Sequence, residues 1–187
     1  MPQSSLSEAA QASATLVGSL FVVEGVDTLV AHRLDHFGIV PRTMAGLIGI
    51  VFGPLLHASW AHLVANALPL FVLLVLLLLD RHYRPWLTLA LIWIASGLGT
   101  WLIGRNAEQG HLTVHIGASS VIYGLVAYLI VAGFLMKSWR PAIISILVLF
   151  FYGGIFFGVL PHAGPISWEG HLSGALAGVW AAKRNHA

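Results

Sequence analysis

Apolar residues in this chain come in long, nearly unbroken runs, without the alternation of a half-buried strand or the polar stripe of a surface helix. Runs approaching or reaching the ~20 residues that cross a bilayer predict helices over 14–31, 61–79, 85–103, 116–136 and 141–160, with a sixth over 169–182. The first is the weakest, because Glu24 and Asp27 interrupt it. Between the first two lies a longer connection, 32–60, holding the apolar piece 44–56. That piece is short and broken by Gly and Pro, so an interfacial or re-entrant segment is expected. Residues 1–13 read as a polar N-terminal tail without the basic region of a cleavable signal peptide, and 14–187 as a single membrane domain.

Composition agrees with the pattern. Of 187 residues, 58% are hydrophobic and only 9% charged, where a soluble domain carries about a quarter charged. The net charge of +2 comes without a basic stripe and interleaved aromatics, so nucleic acid is not an expected partner. Cysteine is absent, which excludes disulfides, thiolate metal sites and a cysteine nucleophile. The cations then orient the helices. Arg81, Arg84, Lys137, Arg140, Lys183 and Arg184 follow the second, fourth and sixth spans, whereas Arg33, Arg42 and Arg105 lie on the other side. The positive-inside rule therefore predicts both termini in the cytoplasm, as an even number of spans also requires.

With that orientation the second, fourth and sixth spans all begin at the outer leaflet, and each begins with polar side chains. The second carries His62 and Asn66, the fourth Ser119 and Ser120, the sixth His171. Polar groups at membrane depth are expensive and face a bundle interior or a wet cavity. A serine becomes a nucleophile when a base takes its proton, and histidine is the usual base. Ser119 and His171 can meet only across closely packed helices. Gly170, Gly174 and Gly178 recur at every fourth position of the sixth span, a small-residue stripe that permits such an approach. Tyr123, one turn after Ser119, can stack against the imidazole. His62 and Asn66, four apart on one helix face, and the Ser119 N–H can donate to a developing oxyanion. No carboxylate is placed to orient His171, so a dyad rather than a triad is expected.

These residues resemble the rhomboid family of intramembrane serine proteases. The resemblance lies in "HASWAHLVAN" (His57, His62, Asn66), "GASS" (Gly117 to Ser120) with Tyr123, and "GHLSGALAG" (Gly170 to Gly178) with His171. It implies an all-α membrane protein built as a six-transmembrane-helix bundle. It implies Ser119, rather than Ser120, as nucleophile and His171 as general base, with His62, Asn66 and the Ser119 N–H lining the oxyanion hole. His57, Tyr123, Gly117 and Gly174 are implied as supporting residues. No cofactor and no metal are implied. The partners would be transmembrane segments of substrate proteins in the lipid bilayer, cut near small or helix-breaking residues. A gate formed by the fifth span and the loop before the sixth, "PHAGPISW" (161–168), would admit them. The site would face the outer leaflet of the plasma membrane. Two departures stand out: "PRTMAGL" replaces the Trp-Arg pair that many members carry in the first long loop, and Ser120 stands where Gly or Ala is common.

Other readings use the same residues. His57 with His62, or His111 with His115, could ligate a metal, although no carboxylate cluster accompanies them. Glu24 and Asp27 could mark an ion path, but no acid or base lies at mid-membrane in the later spans. A silent relative that binds transmembrane helices without cutting them would typically lack Ser119 or His171.

Overall fold

A computed structural model describes residues 5–108, 111–161, 164 and 166–186. It is built from helices: α1 (Leu6–Leu29), the single turn α2 (Gly49–Phe52), α3 (Trp60–Leu79), α4 (Pro85–Ile103), α5 (Ser119–Leu135), α6 (Trp139–Tyr152) and α7 (Trp168–His186). Among the described residues the only ladder is a hairpin of two-residue strands, β1 (Ala107–Glu108) and β2 (His111–Leu112). Three helices, Leu6–Leu29, Trp60–Leu79 and Arg81–Ile103, are long and apolar enough to cross a membrane, and shorter apolar helices cover Ser119–Leu135 and Trp139–Ile155. The protein is an integral membrane protein of helical construction.

Boundaries move where local chemistry decides them. α1 starts at Leu6 rather than residue 14, so most of the expected polar tail is helical. Ser5 Oγ accepts the Glu8 N–H at 3.1 Å and Glu8 Oε2 accepts the Ser5 N–H at 2.8 Å, a reciprocal capping box. α5 starts at Ser119 rather than 116, because Gly117 has φ +111° and cannot belong to a helix. The expected fifth span divides: α6 ends at Tyr152, and Gly153–Val159 continue as a 3-10 helix. α7 runs past 182 to His186, its last turn holding Lys183, Arg184 and His186 against the negative end of the helix dipole. The piece between residues 44 and 56 is not a span but a chain of turns, Ala45–Leu47, Gly49–Phe52 and Gly53–Leu55.

α5 is the centre of the bundle. Every residue from Val121 to Leu129 is buried, so over that stretch the helix has no outward face. Its most extensive partner is α7, and α4, α6 and α3 also pack on it. The α5–α7 crossing is close because glycines remove side chains from it. A Cβ on Gly174 would collide with the Ser120 carbonyl, and one on Gly178 with the Gly124 carbonyl. Backbone thus meets backbone at two levels of the seam.

Candidate active site

The first turns of α5 and α7 bring Ser119 and His171 into contact, with His171 Nε2 3.1 Å from Ser119 Oγ. The other ring nitrogen, Nδ1, lies 3.0 Å from the carbonyl of Gly158 in the 3-10 helix after α6. A carbonyl can only accept, so Nδ1 carries the proton and Nε2 presents its lone pair to the serine hydroxyl. Tyr123 lies flat on the imidazole, ring centres 4.0 Å apart and planes 10° from parallel. The imidazole is therefore held in its plane by an aromatic ring and in rotation by a backbone acceptor. Gly158 has to be glycine for this, since a Cβ there would collide with the Tyr123 hydroxyl.

The start of α3 forms the opposite wall. Ser59 Oγ accepts the His62 N–H at 3.2 Å and caps the helix. His62 and Asn66 project from one face, and the Asn66 amide donates to the His62 carbonyl at 3.1 Å, leaving its second N–H for another acceptor. The His62 ring fits beside Gly117, where a Cβ would come within 2.7 Å of His62 Cε1. Gly117 is thus required both by its positive φ and by its missing side chain. His57, fully buried in the loop before α3, packs edge-on against His62 at 5.1 Å and accepts the Ala118 N–H at 3.4 Å. Burial, reinforced by neighbouring His62, pushes the His57 imidazole down to about 4, so it stays neutral and keeps the acceptor that the Ala118 bond needs.

A cavity of about 570 Å³ opens between these walls, lined by His62, Asn66, Ser119, Tyr123 and His171. Ser119 is also the first residue of α5, where backbone N–H groups have no helical acceptor. A hydroxyl, a base in the right tautomer and several unspent donors thus converge on one space. That set can carry acyl transfer.

Four residues that close the site were not predicted as part of it. His115 is buried; its Nε2–H donates to the Arg105 carbonyl at 2.8 Å and its Nδ1 accepts from Ser167 Oγ at 2.6 Å. Both nitrogens of this member of the supposed metal pair are therefore engaged, and burial lowers its basicity. Ser167 Oγ also accepts the Gly170 N–H at 3.1 Å at the start of α7. The Arg105 guanidinium donates to the carbonyls of Gly164 and Ile166 at 2.9 and 2.6 Å and lies 3.5 Å from buried Glu169. The segment expected to cap the site is therefore tethered at Gly164, Ile166 and Ser167, and His162, Ala163 and Pro165 lie outside the described residues. The opposite charges of Arg105 and Glu169 were the available signal. Gly158 acts through its backbone, which no side-chain motif announces.

Comparison with known proteins points one way. The family model "Rhomboid domain" matches residues 44–185. The "Uncharacterized protein Rv1337" of Mycobacterium tuberculosis is 49% identical over 172 residues, covering 90% of this chain and 71% of that protein. The "Uncharacterized protein ML1171" of Mycobacterium leprae is 46% identical over 173 residues, covering 90% and 68%. The "Putative rhomboid protein L523" of Acanthamoeba polyphaga mimivirus is 30% identical over 139 residues, covering 73% and 74%. No solved structure matches significantly.

Proposed function

The chain belongs to the rhomboid family, and from that premise we propose that it is an intramembrane serine endopeptidase working through Ser119 and His171. The observation that carries this reading is the 3.1 Å contact between His171 Nε2 and Ser119 Oγ, with Nδ1–H committed to Gly158. Ser119 Oγ attacks the scissile carbonyl while its proton passes to Nε2. The charge that grows on the substrate oxygen is met by the Ser119 N–H, the His62 ring and the free Asn66 N–H. Collapse returns the proton from Nε2 to the departing amine, and water repeats the sequence to release the acyl half. Gly158 and Tyr123 keep the imidazolium in place, where many serine hydrolases use a carboxylate.

The same reading sets the protein in its membrane. Six spans with both termini in the cytoplasm place the first turns of α3, α5 and α7 toward the outer leaflet of the plasma membrane. α5, 17 residues long, extends about 25 Å against a hydrocarbon core of about 30 Å. Its first residue then lies below the lipid surface, inside a wet, protein-lined cavity. Substrates are transmembrane segments of other membrane proteins with small or helix-breaking residues near that depth, because a continuous helix hides its amides.

The decisive experiment is cleavage of a tagged single-span reporter in membranes. Ser119→Ala and His171→Ala should each lower the rate by about a thousandfold or more. A fluorophosphonate probe should label the parent chain and not Ser119→Ala. Equal cleavage by the parent and both variants overturns the assignment.

A further inference from the structure

A second cluster of polar groups lies where α1 meets the loop that follows it. Asp27, His32 and Asp35 each direct one ligand atom to a common point, all within 4.8 Å of one another. His32 Nδ1 is 3.4 Å from Asp27 Oδ2 and 4.0 Å from Asp35 Oδ2. Asp27 is 1% exposed, and its Oδ1 accepts the Leu34 N–H at 2.8 Å, which folds the chain back over the helix end. Its Oδ2, turned toward His32, has no hydrogen-bond partner, and neither has the buried Oδ1 of Asp35. An independent observation comes from Glu24. It precedes Asp27 by one turn on the same face, is 1% exposed, and neither of its carboxylate oxygens is hydrogen-bonded.

Two carboxylates thus meet a single imidazole, with a third, Glu24, one turn away along α1. Even a protonated His32 balances one negative charge, and buried carboxylates left without a partner are costly. A cation resolves both the missing charge and the missing bonds. The donors narrow its type: an imidazole disfavours Mg²⁺ and Ca²⁺, which take oxygen ligands, whereas mixed nitrogen and carboxylate sets suit first-row divalent metals.

We propose that Asp27, His32 and Asp35 form a divalent transition-metal site, for Zn²⁺ or Mn²⁺, with Glu24 as an additional carboxylate behind it. Bonds of about 2.0–2.2 Å require the three ligand atoms to draw together. His32 and Asp35 can do so by side-chain rotation, being 42% and 24% exposed. The bound ion fastens the end of α1 to the first long loop. Thr28, within the same helix end, accepts the Trp60 indole N–H at 3.1 Å, so the fastened corner adjoins the start of α3 that carries His62. Metal binding here is independent of the chemistry assigned to Ser119.

The test uses the full chain without a histidine tag, purified in detergent, stripped with chelator and titrated with Zn²⁺, Mn²⁺, Ca²⁺ and, as a coloured probe, Co²⁺. The expected result is one equivalent bound, with Co²⁺ showing the absorption of a mixed nitrogen–oxygen site. His32→Gln and Asp35→Asn, chosen at partly exposed positions, should each weaken binding about tenfold or more. Bound Zn²⁺ or Mn²⁺ should raise the unfolding temperature of the parent but not of the variants. Absence of stoichiometric uptake by the parent, equal affinity in both variants, or preference for Ca²⁺ over Zn²⁺ and Mn²⁺ each overturns the proposal.

Discussion

The α5–α7 seam and the neighbouring α6 differ in how much of each helix is buried. At the seam, glycines on α7 lie against carbonyls of α5, and the central helix is buried for nine consecutive residues, Val121 to Leu129. α6 buries only Pro141, Ser145 and Val148, and turns Ile146, Phe150 and Phe151 outward at 62, 80 and 71% exposure. Ser145 Oγ links it to the bundle by a bond to the Ile130 carbonyl at 2.9 Å. In lipid the outward apolar residues are solvated, so α6 is held by a narrow face, where a Cβ on Gly133 of α5 would meet Ser145 and the Pro141 carbonyl, while the seam is locked by backbone contact at two levels. The proposed nucleophile and base, Ser119 and His171, stand on the locked pair. The carbonyl that orients the base, Gly158, comes from the chain that leaves α6. Rigidity positions the reacting atoms, and the loosely held element adjusts one of them.

The largest effect should come from the seam. Gly174→Val adds side-chain atoms where the Ser120 carbonyl already sits, so α5 and α7 must separate. Separation by even 1 Å breaks the Ser119–His171 contact, and overpacking of this kind costs about 1–3 kcal/mol or more. Thermal unfolding in detergent should show a clear loss of stability, and reporter cleavage should fall below about a hundredth of the parent rate. A variant that retained both would mean the glycines are not what sets this distance.

Next in size is Gly158→Ala. Its new Cβ meets the Tyr123 hydroxyl first, so the carbonyl or the ring must shift. With Nδ1–H no longer fixed, kcat should drop about tenfold to a hundredfold with KM little changed and unfolding temperature nearly constant. Adding Tyr123→Phe removes the nearest clashing atom while keeping the stacked ring, and should recover much of the loss. A merely structural role for Gly158 predicts no such rescue.

These two glycines also show what could be read from the sequence. The period of four in Gly170, Gly174 and Gly178, with His171 beside it, foretold a close helix pair, because side-chain spacing on a helix is regular. His62 and Asn66 were legible for the same reason. The Gly158 carbonyl was not, since any residue has a carbonyl and only the path of the chain decides where it points. The tether from Arg105 to Gly164, Ile166 and Glu169 joins positions some sixty residues apart. Periodicity within a helix carries no information about such loop-to-loop bonds. The helix starts at Leu6 and Ser119 depended on a cap and on one positive φ, which hydropathy does not sense.

A smaller effect should come from α6 itself. Val148 is 1% exposed, so Val148→Ala removes buried apolar surface from its narrow contact face. In lipid the loss is one of packing, and the expected cost is about 1 kcal/mol, too little to disturb the seam. If α6 with the loop behind it admits substrate, the looser helix should open more often and reporter cleavage should rise about two- to fivefold. An unchanged rate together with the stability loss would separate α6 from substrate entry.

The smallest effect concerns acid, and it should fall on the seam side alone. α6 contains neither a carboxylate nor an imidazole, whereas His57 and His115 are buried where the chain enters α3 and α5. Burial lowers both, His57 to about 4, so an unfolded chain binds protons that the native chain refuses. Stability from these neutral imidazoles is full above about pH 6.5 and is lost as pH falls toward about 4. The contribution of these two imidazoles to the unfolding temperature in detergent should therefore decline across that window, and amides at the start of α5 should exchange faster before those of α6 do. His57→Gln retains an acceptor for the Ala118 N–H but cannot take up a proton, so it should flatten part of the decline. An identical pH profile in that variant would show that His57 is not one of the groups whose protonation loosens the site.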